Sequence, residues 1–248
     1  MRNGGAQRAV VATAALGTLL ATLAGLSACG GAGQSDAGET GAAGNPAARR
    51  TDMHALTRIP GIGDRLGRRI PADSRQVLAV YGEGRDSADS TVVLFTKHGS
   101  TWDRIRRWPA HNGKKGWTAD HHEGDMRSPI GMFTLTDAGG VLADPGALLP
   151  YTRDASLAAP RWWGRSHWHD FDYVIAIDYN RAKGNPPDDP ERPEGDAKGG
   201  GIWLHMDHDS GTSACISLSK AAMEYLLRTL DPDRHPVMVM GDRVGLKA

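Results

Sequence analysis

Short apolar segments separated by turn residues dominate the chain beyond residue 75, and they limit the folds that it can adopt. The segments are rich in Val, Ile, Leu, Phe and Tyr, residue types that favour β-strands. They are Gln76–Tyr81, Thr91–Thr96, Gly131–Thr136, Tyr173–Asp178, Gly201–His205 and Pro236–Met240. Because each is shorter than a typical globular helix, we expect a mainly β domain.

One segment near the C-terminus has the periodicity of a helix. Ser219 can cap its N-terminus, and Asp231-Pro232 follows its last apolar residue. Its apolar residues recur at i, i+1, i+4, i+5 and i+8, as Ala222, Met223, Leu226, Leu227 and Leu230. The sequence therefore predicts one or two short helices in an otherwise β domain.

The N-terminus has the pattern of a bacterial secretion signal. Two arginines precede an uncharged run, Ala9–Ala28, that ends in small residues. The tetrad Leu26–Cys29, of sequence Leu-Ser-Ala-Cys, resembles a lipobox, which implies that residues 1–28 are a signal peptide and that Cys29 is lipidated. We therefore expect a lipoprotein on the extracytoplasmic face of the cell membrane or in the cell wall. An uncleaved membrane anchor and a plain cleaved signal are the alternatives.

Composition divides the rest of the chain into a tether and a folded domain. Residues 29–50 are rich in Gly, Ala and Ser and have almost no large apolar side chain, so we expect a flexible tether. Residues 51–75 lead into the folded domain, which spans 76–248. Within it, Gly184–Gly200 is rich in proline and acidic residues, which predicts an exposed loop, either a lid or a solvated insertion.

The charge balance and the two cysteines restrict the classes of function that are compatible with the chain. The chain has 29 Lys and Arg residues against 29 Asp and Glu, and phosphate binding requires a concentrated positive field, so we expect no nucleic-acid partner. We expect a monomer. If Cys29 is acylated, Cys215 is a free thiol in an exocytoplasmic protein, which is unusual and suggests a functional role.

A histidine and a cysteine near the C-terminus form a pattern typical of thiol catalysis. His205 ends one apolar segment, and Cys215 begins another after a turn of small residues. An imidazole within hydrogen-bond reach removes the proton of a thiol and lowers its pKa. Small residues before the cysteine allow backbone N–H groups to converge on an oxyanion. On spacing alone, a buried inert cysteine beside a structural histidine is the alternative.

Two ordered motifs resemble those of the L,D-transpeptidase catalytic-domain family. In that family a histidine at a strand end is followed by a Ser/Thr-His-Gly-Cys-x-Arg/Asn segment, and His205, Thr212 and Cys215 take the matching places. Upstream, Gly124–Leu135 is similar to the family's Gly-Asp-x-x-Thr-Pro-x-Gly-x-Phe segment. The resemblance covers Gln76–Asp242.

The chain departs from the family pattern at three positions around the cysteine. Ser213 replaces the motif histidine, Ala214 its glycine, and Ser217 its arginine or asparagine. The spacing of ten residues between His205 and Cys215 is also shorter than usual. These departures alter the subsite for the donor peptide and leave the base and the nucleophile in place.

The resemblance implies a fold, a reaction and roles for individual residues. The fold is a β-sandwich-like domain that binds peptidoglycan stem peptides, with no cofactor. Cys215 attacks the carbonyl of the third stem residue, and D-alanine leaves. An amine or water then resolves the thioester, and resolution by water is a carboxypeptidase activity. His205 is the base, oriented by the backbone carbonyl of Met206. The N–H groups of Ala214 and Cys215 hold the oxyanion. The substrate-binding residues implied are Thr212, Ser213, Ser217 and Trp203.

Two rival functions are compatible with other residues. Histidines and carboxylates could hold zinc in a wall hydrolase, but none has the spacing of the helical His-Glu-x-x-His signature, so we expect no metal. The candidate zinc ligands are His121, His122, Glu123, His167, His169, His205, Asp207, His208 and Asp209.

The second alternative function is that of a non-catalytic cell-wall-binding lipoprotein. An aromatic surface would then stack on glycans, although the same residues could simply pack in the core or at its rim. That surface would consist of Trp162, Trp163, Trp168 and Phe171 with Arg161 and Arg165.

Overall fold

The secondary structure is mainly β, as predicted from the apolar segments. A computed structural model of the protein describes residues 56–248. The strands in this region, numbered along the chain, are β1 Gln76–Gly82, β2 Asp89–His98, β3 Thr101–His111, β4 Trp117–Thr118, β5 Ser128–Pro129, β6 Gly131–Thr134, β7 Ala138–Gly140, β8 Tyr151–Arg153, β9 Val174–Ala176, β10 Trp203–Met206, β11 Ile216–Leu218 and β12 Val237–Asp242. The α-helices are α1 Asp64–Gly67 and α2 Lys220–Leu227. Short 3-10 helices span Ala155–Leu157, Arg165–His167, Asp196–Lys198 and Pro232–Arg234.

The predicted elements are present in the structure. Each of the six apolar segments overlaps a strand, namely β1, β2, β6, β9, β10 or β12. Helix α2 lies inside the predicted helical segment, and the Ser219 hydroxyl accepts a hydrogen bond from the Ala222 N–H at 3.3 Å, as expected of an N-cap. Strand β3 was not predicted from its composition.

Ten of the strands form one sheet in the order β6-β12-β1-β2-β3-β11-β10-β9-β7-β8, and β4 pairs with β5. Strand β10 runs parallel to β11 and antiparallel to β9. Strand β11 is also antiparallel to β3. The β10–β11 pair therefore lies in the interior of the sheet, where both of its edges are hydrogen-bonded.

Two apolar clusters cover the two faces of strand β1. Side chains alternate along a strand, so Leu78 and Val80 pack in the larger cluster and Val77 and Ala79 in the smaller one. The larger cluster also contains residues of β9, β10, β11 and α2. Strands that are distant in the sheet order thus pack on one core, which gives the domain its sandwich-like form.

Residues 56–75 pack against the folded domain. Ile59, Ile62 and Leu66 belong to the smaller cluster together with β1 and β12. The Gly63 N–H donates to the Leu246 carbonyl at 2.8 Å, which joins this segment to the C-terminus. The described part of the predicted lead-in therefore contributes to the same core.

The predicted signal peptide (1–28), tether (29–50) and lipidated Cys29 lie outside the described residues. Within residues 56–248, no helix combines the length and apolar character needed to cross a membrane.

Candidate active site

Two neighbouring parallel strands bring the predicted catalytic pair to one cavity. His205 lies in β10, and Cys215 directly precedes β11, with Leu204 level with Ile216. Leu204 and Ile216 point into the larger core and are fully buried. Because side chains alternate along strands, His205 and Cys215 point to the opposite side, where both line the cavity.

The backbone carbonyl of Met206 orients the His205 ring. The Nδ1 atom lies 2.7 Å from this oxygen. A carbonyl can only accept a hydrogen bond, so Nδ1 carries the proton and Nε2 is left as the acceptor. The ring is nearly buried and lies edge-on to Phe171, with ring centres 5.3 Å apart. Burial lowers the pKa of His205 to about 4, and the imidazole is therefore neutral near pH 7.

The Cys215 sulfur is held by strand β10. The Trp203 N–H donates to Sγ at 3.3 Å, and Sγ lies 3.8 Å from the Gly201 carbonyl oxygen. Burial raises the pKa of the Cys215 thiol to about 11, although the Trp203 N–H opposes this shift. The expectation that the imidazole lowers this pKa is therefore wrong for the resting protein, because desolvation of the thiolate outweighs the favourable contacts.

The turn before Cys215 is fixed by two hydroxyl groups. Thr212 donates from Oγ1 to the Cys215 carbonyl at 2.7 Å. Ser128 lies in the upstream motif and donates to the Ala214 carbonyl at 2.6 Å, while its Oγ accepts from the Gly113 N–H at 2.8 Å. The two sequence motifs thus meet at Cys215.

Gly211 permits a close approach of this turn to a neighbouring loop. A Cβ atom at this position would lie 2.8 Å from the Lys114 Cα, closer than such atoms approach in proteins. The Lys114 N–H donates to the Thr212 carbonyl at 2.7 Å, and the Thr212 N–H donates to the Asn112 carbonyl at 2.9 Å. A glycine is therefore needed at position 211 for this packing.

The cavity has a volume of about 650 Å³, within the usual range for binding sites of small molecules and peptides. Five predicted site residues line it, namely Cys215, His205, Thr212, Ser213 and Trp203. Ser217 is not part of the lining, since it is fully buried and donates to the Asp207 carboxylate at 2.6 Å. Asp207 in turn contacts Nδ1 of His111 at 2.8 Å.

The exposed loop at 184–200 reaches the site through Trp203. The Trp203 indole Nε1–H donates to the Pro187 carbonyl at 3.0 Å, and the Trp203 ring contacts Phe171 edge-on. Most other residues of the loop are exposed, as predicted. The loop therefore supports one wall of the cavity.

Part of the predicted aromatic surface adjoins the cavity. Trp163 and Phe171 line it, whereas Trp162 is 85% exposed. The Arg161 and Arg165 guanidinium groups lie over the Trp168 ring at 5.0 and 5.7 Å. The predicted residues thus form a mixed surface of aromatic and cationic groups beside the site, and only some of them pack inward.

A cluster of His167, Asp170 and His208 forms a further part of the cavity wall. Asp170 is nearly buried, and one of its oxygens lies within 3.0 Å of both histidines. The His208 ring stacks on His205, with centres 6.1 Å apart and planes 8° from parallel. Both cluster histidines were predicted from the sequence as possible zinc ligands. Asp170 was missed, because its only local signal is its position three residues after His167.

Comparison with known proteins identifies the family. The YkuD family model, described as the L,D-transpeptidase catalytic domain, matches residues 86–244, which is more than half of the chain. None of the curated proteins compared matches the chain. The chain is similar to the solved "Structure of Bdellovibrio bacteriovorus Bd1075" with 18% identity and a TM-score of 0.36; the alignment covers 75% of this chain and 51% of that one. The chain thus spans about half the length of that structure.

The family match includes both sequence motifs and the cavity residues His205 and Cys215. The chain belongs to the L,D-transpeptidase catalytic-domain family.

Proposed function

We propose that this protein transfers the acyl group of a peptidoglycan stem peptide through a thioester on Cys215, with His205 as the base. Membership of the family implies a general function in peptidoglycan cross-linking. The observation that carries the finer proposal is the shared cavity, which places a thiol and a neutral imidazole on the same wall. The open Nε2 of His205 supplies the acceptor that the reaction requires.

In the first half-reaction, Cys215 Sγ bonds to the carbonyl carbon of the third stem residue. Its proton passes to His205 Nε2 as the bond forms, because the thiol is protonated at rest. The tetrahedral intermediate then expels the D-alanine amine, which takes the proton from His205. The products are free D-alanine and a thioester on Cys215.

In the second half-reaction, an amine of a neighbouring stem attacks the thioester. His205 removes a proton from this amine, and Cys215 leaves with that proton as a thiol. Water in place of the amine gives hydrolysis and hence a carboxypeptidase side reaction. The Met206 carbonyl keeps Nδ1 protonated throughout, so His205 acts only through Nε2.

We assign the oxyanion to the N–H groups of Ala214 and Cys215. Within the loops that the structure describes, neither amide donates to a backbone carbonyl. The Ala214 carbonyl and the Cys215 N–H share one planar peptide unit, so the bond from Ser128 to that carbonyl fixes the direction of the N–H. A pre-oriented donor stabilises the developing charge without reorganisation.

We assign the donor-peptide subsite to Trp203, Thr212 and Ser213. All three line the cavity, and Ser213 is exposed in it. Ser217 acts on this subsite only through Asp207, since its hydroxyl donates to that carboxylate. Ser217 stands where the family has arginine or asparagine, and the basic side chains that line the cavity are Lys114, His167, His205 and His208.

The experiment is incubation of the purified chain with a stem tetrapeptide and measurement of released D-alanine. We expect release by the wild type and at least about a thousandfold slower release by Cys215→Ala, with equal thermal melting temperatures for the two proteins. Cross-linked and hydrolysed products, separated by chromatography, give the ratio of transfer to hydrolysis. Equal release by both proteins would contradict the proposal.

A non-catalytic cell-wall-binding role is the second candidate, because the aromatic surface around Trp163 adjoins the cavity. This alternative predicts muropeptide binding without release of D-alanine. Binding by Cys215→Ala that is lost in Trp163→Ala, together with an inactive wild type, would favour it.

We further propose that the protein is a monomeric lipoprotein attached to the membrane through Cys29 and facing the cell wall. Its support is the lipobox followed by a polar tether. Stable attachment requires more than one acyl chain. A fatty-acid analogue should label the wild type and not Cys29→Ala, and equal labelling of both would contradict the anchor. Sedimentation of the protein in detergent measures its oligomeric state and so tests whether it is a monomer.

A further inference from the structure

Three side chains on the cavity wall place metal-type donor atoms close together. His167 Nδ1 lies 2.9 Å and His208 Nδ1 lies 3.0 Å from the same Asp170 oxygen, Oδ2. One donor atom from each of the three residues lies within 4.8 Å of the others. The Asp170 and His208 side chains are only 4% and 5% exposed, and that of His167 is 34% exposed. The donors are therefore nearly buried, with one side accessible from solvent.

The fold holds this arrangement with backbone contacts. His167 ends a 3-10 helix, and the Asp170 N–H donates to its carbonyl at 3.1 Å. The Asp170 carbonyl accepts from the Met206 N–H at 2.9 Å, which fastens the segment to the end of β10. His208 follows two residues later in the loop to Cys215. Its ring lies between those of His167 and His205, with centres 4.2 and 6.1 Å away.

Hydrogen bonding among these groups leaves two buried atoms without partners. In the part of the chain that the structure describes, Asp170 Oδ1 and His208 Nδ1 have no hydrogen-bond partner. His208 Nδ1 lies 3.0 Å from Asp170 Oδ2, which is an ion-pair distance when the ring is protonated, so a bound metal ion would take the place of that proton. A buried carboxylate oxygen without a partner is otherwise costly.

We propose that His167, Asp170 and His208 bind a divalent transition-metal ion of the Zn²⁺ class. Two imidazoles and a carboxylate are typical zinc ligands, and three protein ligands leave one position open. All three residues line the cavity that also contains Cys215, so an ion held by them would border the space proposed for the donor peptide. The ion is not assigned a step in acyl transfer. A bound ion therefore competes with the donor peptide for this cavity.

The chain contains a matched control for this site. His169 Nδ1 lies 2.9 Å from Asp172 Oδ2, with the same spacing in sequence as His167 and Asp170. This second pair belongs to no three-residue cluster among residues 56–248. A His169→Gln variant therefore removes a similar His–Asp pair without affecting the proposed ligands.

The test is a Zn²⁺ titration of the full chain, stripped of metal, against a chromophoric chelator. We expect one ion to bind to the wild type, to His169→Gln and to Cys215→Ala, and binding at least about tenfold weaker in His167→Gln, Asp170→Asn and His208→Gln. Thermal melting identifies any variant that fails to fold. His167 is the most exposed ligand, so His167→Gln provides the decisive comparison if Asp170→Asn unfolds.

Three results would overturn the proposal. The first is that the folded wild type binds no Zn²⁺, and the second is that the folded ligand variants bind Zn²⁺ as the wild type does. The third is that Cys215→Ala loses Zn²⁺ binding, which would make the thiol the ligand. Cys215→Ala cannot form a thioester, so metal binding is measured independently of acyl transfer.

Discussion

The backbone N–H of Trp203 donates to Cys215 Sγ, so strand β10 rather than the His205 ring holds the resting thiol. The thiol and the imidazole are both neutral near pH 7, because burial raises the pKa of Cys215 and lowers that of His205. In the proposed mechanism, the thiol proton therefore moves to His205 during attack on the substrate, and no stable ion pair forms beforehand. This arrangement suits a buried site, where a charged pair would be costly to desolvate.

A spectroscopic titration of the thiol tests this resting state. We expect thiolate absorbance, taken as the difference between wild type and Cys215→Ala, to appear only well above the ordinary pKa of about 8.5 for cysteine. The structure gives a pKa of about 11. Thiolate present at neutral pH would instead indicate a pre-formed ion pair with His205.

The pH dependence of stability tests the buried imidazole. The pKa of His205 is about 4 in the folded protein, against its ordinary value of 6.5, so the unfolded chain binds more protons between these values. Stability from this residue therefore falls as the pH decreases from about 6.5 to about 4. We expect the wild type to lose on the order of 3 kcal/mol more than His205→Gln over this range, measured by urea unfolding. Parallel losses in the two proteins would be inconsistent with a buried, neutral His205.

Ser128 links the upstream motif to the turn before Cys215, and its removal should affect both stability and turnover. Ser128→Ala leaves the Ala214 carbonyl and the Gly113 N–H without partners, which should cost about 1–3 kcal/mol of unfolding free energy. We expect D-alanine release to fall at least about tenfold, because the Cys215 N–H is no longer held in position.

Ser128→Thr is the matched control, since it keeps the hydroxyl group and matches the family's threonine. It should retain most of the activity and stability. Equal behaviour of the alanine and threonine variants would show that the hydroxyl does not position the nucleophile.

Much of the fold follows from local sequence patterns, and the exceptions have a physical cause. Strands such as β1 and β12 are continuous apolar runs because both of their faces are covered. Strand β3 carries Asp103, Arg104 and Arg107 and lacks that pattern. Its pairing with β2 and β11 determines its conformation, so contacts distant in sequence override its composition.

In the candidate site, too, residues within a sequence motif were predicted, and a contact between segments distant in sequence was missed. His205 and Cys215 were predicted because the motif carries both residues and their order. Asp170 was missed because its contact with His208 depends on how the segment before β9 folds back onto β10. The raised pKa of Cys215 also depends on burial, which a motif does not encode.

A double-mutant comparison tests whether His205 and Cys215 act as one unit. We expect His205→Ala and Cys215→Ala each to reduce D-alanine release by roughly a thousandfold or more, and the double variant to be no slower than either. His208→Ala should have a much smaller effect, since His208 is not assigned a proton-transfer role. A double variant far slower than both single variants would indicate independent roles.

Intact-mass spectrometry after incubation with a stem tetrapeptide detects the proposed thioester itself. We expect one covalent adduct with the mass of the peptide less D-alanine, located by peptide mapping on the segment that contains Cys215 and absent from Cys215→Ala. His205→Ala should form the adduct far more slowly. D-alanine release by the folded wild type with no adduct on Cys215, or an adduct of equal amount in Cys215→Ala, would contradict the thioester mechanism.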